Sequence, residues 1–336
     1  MSESIHRENK NLHNDVVIST RVRLVRNIDG IPFPVRLNTV LKRETAKKVI
    51  SAVSRSPLSL KIIDMSTLYP YEVISLAERH IITPEFASSA DGRILLLSED
   101  ERTAVMLNER DHVRIQCTEE GLELDKAYKN ALFYDELFDN ALHFAFDQKL
   151  GYLTQNPGDL GTGMRPSVLM HLPVLSRTGA MAKISATAAK LGIMIRGSYG
   201  DAASVKGDLF RVSNSVTMGI TEQQALDNLK TIVMQIATRE RDAAGAYISE
   251  INIKDRINRS AGLIKNAVLL SAEEMTELLS WVRLGALYGV ISADPSAISR
   301  LFVTMQPASL NVLAGRKLSA AEGDSLRADA VKRIFG

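Results

Sequence analysis

The segment Asp15 to Leu24, DVVISTRVRL, mixes β-branched residues with alternating polar ones. That pattern fits an extended strand and places Arg21 and Arg23 on the same side of it. A strand of this kind needs a sheet around it, and it gives that sheet one strongly cationic face. Bulk charge does not account for the cations: 41 Lys and Arg stand against 39 Asp and Glu, a formal charge of +2. This is too balanced for nucleic-acid or membrane-surface binding by net electrostatics, so any anion site is local.

Strand and helix patterns alternate over most of the chain. Helical spacing covers Thr39 to Ser54, a short strand follows at Leu60 to Ile63, a helix near Tyr71 to Arg79, and a strand at Arg93 to Leu97. Thr103 to Leu107 and His112 to Cys117 read as strands flanking Asn108, Glu109, Arg110 and Asp111, a polar stretch expected to form a bend or a functional rim. Glu123 to Gln148 predicts one long amphipathic helix covering the sheet. Two glycine-containing loops follow, YLTQNPGDLGTG ahead of an apolar run from Val168 to Leu175, and RGSYGDAASVKGD. Thr221 begins a helix reaching about Tyr247.

From about Ile251 to Gly336 the strand signal disappears, with helical patterns at Glu273 to Leu287 and Asp324 to Ile334. We therefore expect an α+β fold with a boundary near residue 250, giving units 1–250 and 251–336. A chain of 336 residues, 45% of them hydrophobic, can bury a sizeable core.

The opening MSESIHRENKNLHND lacks the apolar core of a signal peptide, and no run reaches the roughly 18 apolar residues of a membrane span. A cytoplasmic protein is expected. The single cysteine, Cys117, excludes an internal disulfide and a Cys-rich zinc site, and its placement in a strand suits packing. No GxxxxGK[ST] occurs, the GxG at Gly161 to Gly163 runs on into Met164, Arg165 and Pro166, and a His-Arg-Asp loop with a downstream Asp-Phe-Gly is missing. No metal-ligand cluster is apparent in the sequence.

What remains is a series of arginines in short extended or glycine-bounded segments: Arg21, Arg23, Arg114, Arg165 and Arg196. Arginine suits multidentate phosphate recognition, although each one alone also fits a solvated or salt-bridged surface residue. Their context is more specific. STRVRLVRN, NERDHVRIQC, LGYLTQNPGDLGTGMRPSVLMHLP and RGSYGD, in that order over residues 19 to 201, resemble the motif series of the phosphagen kinases. HVRIQC, GTGMRPSVLMHLP and RGSYGD are most similar to the bacterial protein arginine kinases, and the similarity continues through FRVSNSVTMG. Small-guanidine kinases carry a helical domain ahead of the first arginine strand. Here only 18 residues precede Ser19, and the extra mass is C-terminal.

The resemblance implies a phosphagen-kinase-like catalytic domain, an antiparallel sheet flanked by helices, followed by a helical domain for dimerisation and substrate contact. It implies ATP and Mg2+, with the nucleotide held by Ser19, Thr20, Arg21, Val22 and Arg23, by Arg114, by Arg165, Pro166, Ser167, Val168 and Leu169, and by Arg196, Gly197, Ser198, Tyr199, Gly200 and Asp201. His80 resembles the family's nucleotide-contacting histidine, while a surface histidine at a helix end is the alternative reading. Glu109 and Asp201 take the place of the acceptor carboxylates. Protein substrates presenting arginine, an activator or adaptor protein, a Clp-type protease system and a homodimer are the implied partners, with neither nucleic acid nor membrane.

Four departures stand out. Where the family reads Asn-Glu-Glu-Asp-His, this chain reads Asn108, Glu109, Arg110, Asp111, His112. In an extended segment Arg110 would share a face with Arg114 and repel a guanidinium substrate. Asn156 stands in for a cysteine, and Asp201 for a glutamate. The family's phosphoarginine-sensing segment is present as Asp324, Arg327 and Ala328 without its first arginine, and a solvated helix face is the alternative there. The expected function is ATP-dependent phosphorylation of protein arginine side chains. A nucleotide-binding protein without transfer, and a small-guanidine kinase, are the alternatives.

Overall fold

The computed structural model describes residues 14–54, 59–198 and 205–335. In chain order the elements are β1 (Val17–Arg26), α1 (Thr39–Ser54), β2 (Leu60–Asp64), α2 (Pro70–Glu78), α3 (Pro84–Ala87), β3 (Ile94–Ser98), β4 (Thr103–Leu107), β5 (Val113–Glu120) and α4 (Leu124–Leu142). They continue through β6 (Phe146–Asp147), β7 (Gly151–Tyr152), β8 (Met164–His171), α5 (Pro173–Arg177), α6 (Met181–Lys190), β9 (Ile193–Gly197), β10 (Leu209–Asn214) and α7 (Glu222–Ser249). The chain then runs through α8 (Ile251–Asn266), α9 (Ala272–Leu287), α10 (Pro295–Thr304), α11 (Pro307–Ala314) and α12 (Ala320–Lys332).

Eight strands form one antiparallel sheet in the order β2-β3-β4-β5-β1-β8-β10-β9. The fold is α+β, and β1 is an interior strand, as its β-branched pattern requires. One face of the sheet, with Val22, Leu24, Val105, Ile115, Val168 and Val212, packs on α1, α4, α6 and α7 in the largest apolar core.

Among the described residues, apolar cores cover the opposite face at its two ends. At the β2–β4 end, Leu95, Leu97, Ala104 and Met106 pack against Leu76 and Phe86 of α2 and α3. At the β8–β10 end, Leu169 and Leu209 pack into the core of the C-terminal helices with Phe302 and Leu310. Strand parity makes this a single face, because Met106 pairs with Arg114 and Leu169 pairs with Arg211. The cationic stripe lies between the two covered ends.

Two details differ from the sequence reading. The helix expected to reach Gln148 stops at Leu142, where His143 adopts φ 55, and the next residues return to β1 through Ala145 N–H donating to Asn27 O at 2.7 Å. The left-handed residue ends the helix, and the apolar residues beyond it feed a short hairpin of β6 and β7. The apolar run Val168 to Leu175 is shared between β8 and α5, which Pro173 initiates. Among the described residues no helix is long and apolar enough to cross a membrane.

Candidate active site

Register decides which side chains meet. Arg23 sits opposite Gln116 of β5 and Arg165 of β8, and Arg21 sits opposite Thr118 and Ser167. Arg211 of β10 is opposite both Leu169 and Arg196. Directly opposed residues share a sheet face, so Arg21, Arg23, Arg114, Arg165, Arg196 and Arg211 all project from the same side. Five of these were legible in the sequence. Arg211 was missed although its segment, FRVSNS, was part of the resemblance; its parity with Arg196 across a β9–β10 hairpin was the available signal.

The same parity argument sorts the other expected nucleotide-binding residues. Ser19, Ser167 and Leu169 lie on the arginine face, while Thr20, Val22, Pro166, Val168 and Gly197 alternate with them and turn to the other side. Val22 and Val168 are fully buried in the helix-covered core, and the Thr20 hydroxyl donates to Gly121 O at 2.6 Å. Their side chains do not reach the arginines. Ser198 continues past β9, its hydroxyl 3.4 Å from His80 Nε2. Tyr199, Gly200 and Asp201 lie outside the described residues.

Packing cations together has a visible cost. Burial, followed by the charges of Arg211, Arg23 and Arg114, pulls the Arg21 guanidinium well below its ordinary pKa. Arg23 is drawn down to about 9 by burial and then by Arg114, Arg211 and Arg165, with Asp159 opposing. Among the described residues, Arg21 Nε and Arg114 Nε are buried donors without a hydrogen-bond partner. Buried donors normally have partners, so a face that leaves two guanidinium donors unmet is built for an anion.

Two carboxylates temper the stripe at the β5–β8 side. Glu109 pairs with Arg114 at 2.8 Å and accepts the Thr83 hydroxyl. Asp159 accepts from Arg165 Nε at 2.5 Å and from Asn156 Nδ2 at 2.9 Å. Asn156, which stands in for a cysteine in the resemblance, thus orients Asp159. The two loops are tied together by Asp111, whose Oδ1 accepts from Asn27 Nδ2 at 2.6 Å and Gln155 N–H at 2.8 Å. Further along the same loop, Gly161 at φ +94 lies against the Thr217 backbone, where an added Cβ would fall 2.2 Å from Thr217 O.

The segment around Arg110 is not extended. Asn108, at φ 62, turns the chain, and its amide donates to Lys42 O and Gly92 O, both at 2.8 Å. Arg110 consequently leaves the Arg114 face and its Nε donates to Glu85 of α3 at the exposed rim. Glu109 is the residue brought to Arg114, the reverse of what an extended strand would give.

His80 ends α2 in a left-handed conformation, φ 59, with its carbonyl receiving Gln116 Nε2 at 2.8 Å. Burial, then Arg211 and Arg21, hold its imidazole down to about 3. It is neutral and faces the arginines, which the surface-histidine alternative does not describe. With Arg21 and Arg211 it lines a cavity of about 360 Å³.

Arg327 is not on a solvated face either. It is 2% exposed, donating to Met305 O at 2.8 Å and Leu270 O at 2.7 Å and pairing with Asp324 at 2.6 Å; Ala328 beside it is fully buried. As it stands, this guanidinium is occupied by the fold.

Residues 42–243 match the profile of the ATP:guanido phosphotransferase C-terminal catalytic domain, and residues 250–336 that of the protein-arginine kinase McsB C-terminal domain. A protein-arginine kinase of Halothermothrix orenii is 39% identical over 322 residues, covering 95% of this chain and 92% of that relative. Another, from Caldanaerobacter subterraneus, is 36% identical over 327 residues, covering 94% and 96%. Among solved structures, the duplicated taurocyamine kinase of Schistosoma mansoni superposes with a TM-score of 0.61 at 25% identity, over 69% of this chain and 34% of that one. Lombricine kinase superposes at 0.60 with 22% identity, over 69% and 68%.

Proposed function

Since this chain is a member of the ATP:guanido phosphotransferase family, in its protein-arginine kinase branch, we propose how its sheet face performs the reaction of that branch. The protein is an ATP-dependent kinase that phosphorylates arginine side chains of proteins. The observation that carries the assignment of the site is the stripe of six arginines on one face, two of them with buried donors that have no partner among the described residues.

Arg21, Arg23, Arg114, Arg165, Arg196 and Arg211 hold the triphosphate and neutralise the charge that develops on the transferring phosphoryl group, where positioning and electrostatics supply most of the rate. In the transfer a guanidino nitrogen of the acceptor forms a bond to the terminal phosphorus, the bond from that phosphorus to the bridging oxygen breaks, and ADP leaves. An arginine side chain has a pKa above roughly 12, so its nitrogen needs a carboxylate to orient it and take its proton. Glu109 and Asp201 fill that role. In the described structure Glu109 is held by Arg114, and a phosphate drawing on Arg114 would turn the carboxylate toward the acceptor.

Among the described residues no group of three or more His, Cys, Asp or Glu is arranged to hold a metal ion. Mg2+ entering with the nucleotide would supply further neutralisation of phosphate charge beside the arginines. The catalytic unit comprises 1–250 and the helical unit 251–336. By family we assign the latter to homodimerisation and substrate contact, with an activator or adaptor and a Clp-type protease as partners in the cytoplasm. His80 serves the nucleotide as a neutral contact.

Incubation with labelled ATP, magnesium and an arginine-rich protein should yield acid-labile phosphate that maps to arginine and is lost in Arg23→Ala. ATP binding without any transfer would overturn the assignment.

A further inference from the structure

The two carboxylate oxygens of Glu109 have different surroundings. Oε1 accepts the hydroxyl of Thr83, while Oε2 lies 2.8 Å from Arg114 Nη1 as an ion pair. That second contact is close without being aligned as a hydrogen bond: among the described residues Oε2 is a buried acceptor with no hydrogen-bond partner. The geometry points to Thr83 as a positioning residue for the transfer, fixing Oε1 so that Oε2 is the atom left to take the acceptor's proton. This rests on the kinase reading above and adds to it the group that aims its carboxylate.

The Thr83 hydroxyl is itself oriented. Its oxygen accepts Phe86 N–H at 2.9 Å, capping α3, and its one hydrogen is given to Glu109. The helix behind it is fixed in turn. Arg93 Nη1 donates to Glu85 O at 2.5 Å and to Phe86 O at 2.9 Å, and Phe86 is fully buried in the core that holds Leu95 and Met106. Thr83 thus keeps Glu109 inward while Glu85 of the same helix keeps Arg110 at the rim.

A hydrogen bond to an ionised acceptor is stronger than one between neutral groups, and the Glu109 side chain is only 1% exposed, so water competes little for it. When phosphate draws Arg114 away, Oε2 is released while Oε1 stays anchored, and the carboxylate turns about the anchored oxygen. The proton leaving the guanidino nitrogen, as that nitrogen bonds to phosphorus, passes to Oε2. Thr83 keeps its own proton throughout.

The test is a kinetic cycle on the full chain with ATP and an arginine-bearing protein. Thr83→Val removes the hydroxyl at nearly constant shape and should lower kcat by about 10- to 100-fold, the effect of losing a hydrogen bond to a charged group. ATP affinity, read by calorimetry, should be unchanged, which also reports that the arginine face is folded. Thr83→Ser should restore the rate. In a Glu109→Gln background Thr83→Val should lower kcat no further, because the proton acceptor that it aims is already gone. A loss of equal size in both backgrounds would show that Thr83 acts through the fold of α3, and unchanged kcat in Thr83→Val would show that it does not act. Either result overturns the inference and leaves Glu109 in its role. Wild-type protein that binds ATP and transfers no phosphate overturns the kinase reading, and this role with it.

Discussion

The guanidinium of Arg114 and the carboxylate of Glu109 meet at 2.8 Å with their side chains only 12% and 1% exposed. The pair therefore sits where charge is poorly screened, at the junction of the phosphate stripe and the acceptor loops. Replacement of Glu109 by glutamine keeps the bond from Thr83 but leaves Arg114 uncompensated. We expect turnover to fall by about 10²–10⁴-fold and stability by about 1–3 kcal/mol, read from kinase assays and urea titrations. Retained turnover would move the acceptor role elsewhere.

Arg110 and Glu85 form a different kind of pair, half-exposed at the rim. Such pairs contribute about 0–1 kcal/mol, so Arg110→Ala should leave the melting temperature nearly unchanged. Its effect should appear in the acceptor KM. Arg110→Ala lowers the KM for an arginine-bearing protein, and Glu85→Gln, which leaves the cation unpaired, raises it. A double variant with the Arg110→Ala value would show that Glu85 acts only by quenching Arg110.

The arginine stripe is a stability defect maintained for function. Arg23→Gln should abolish ATP binding and raise the melting temperature of the unliganded protein. Arg23 is lowered from the ordinary arginine range to about 9, so below about pH 9 both folded and unfolded states carry the proton and the penalty is complete. Above about 9 the unfolded chain binds more protons, the native state gains relative stability with rising pH, and the penalty fades. The stability gap between variant and wild type should therefore narrow as pH rises through about 9. A gap independent of pH would place the effect outside Arg23's charge.

His80 should show no titration near pH 6.5 in the unliganded protein, because burial and two arginines hold it down to about 3. Arg211→Ala removes the larger of the two charge effects and should raise its pKa, as followed by imidazole NMR signals. An unchanged value would mean that burial alone sets it.

Arg327→Ala deletes a buried cation with two carbonyl bonds and the Asp324 pair. A loss of about 3–5 kcal/mol is expected, with Asp324→Asn milder, in denaturant unfolding. A silent Arg327→Ala would contradict the buried geometry.

The arginine face was readable because period-2 parity in β1 is local: Arg21 and Arg23 fall two residues apart whatever surrounds them. Glu109 and Arg110 exchanged their expected places because one left-handed residue, Asn108, decides which of them faces Arg114, and a single non-glycine φ leaves little trace in sequence. The end of α4 at His143 was hidden for the same reason. The packing of α10 on Leu169 was illegible in principle, since it depends on how the last helices dock and not on any pattern within them.

Arg283 of α9 donates to the carbonyls of Asn14 and Asp15 at 3.0 and 2.8 Å, just ahead of the strand that carries Arg21 and Arg23. The beginning of the central strand is thus clamped by a helix that follows it by 268 residues. Contacts so distant in sequence are paid for late in folding. A nascent chain on the ribosome would display its arginines on a sheet not yet pinned, and the catalytic surface would reach its final form only after α9 has been made.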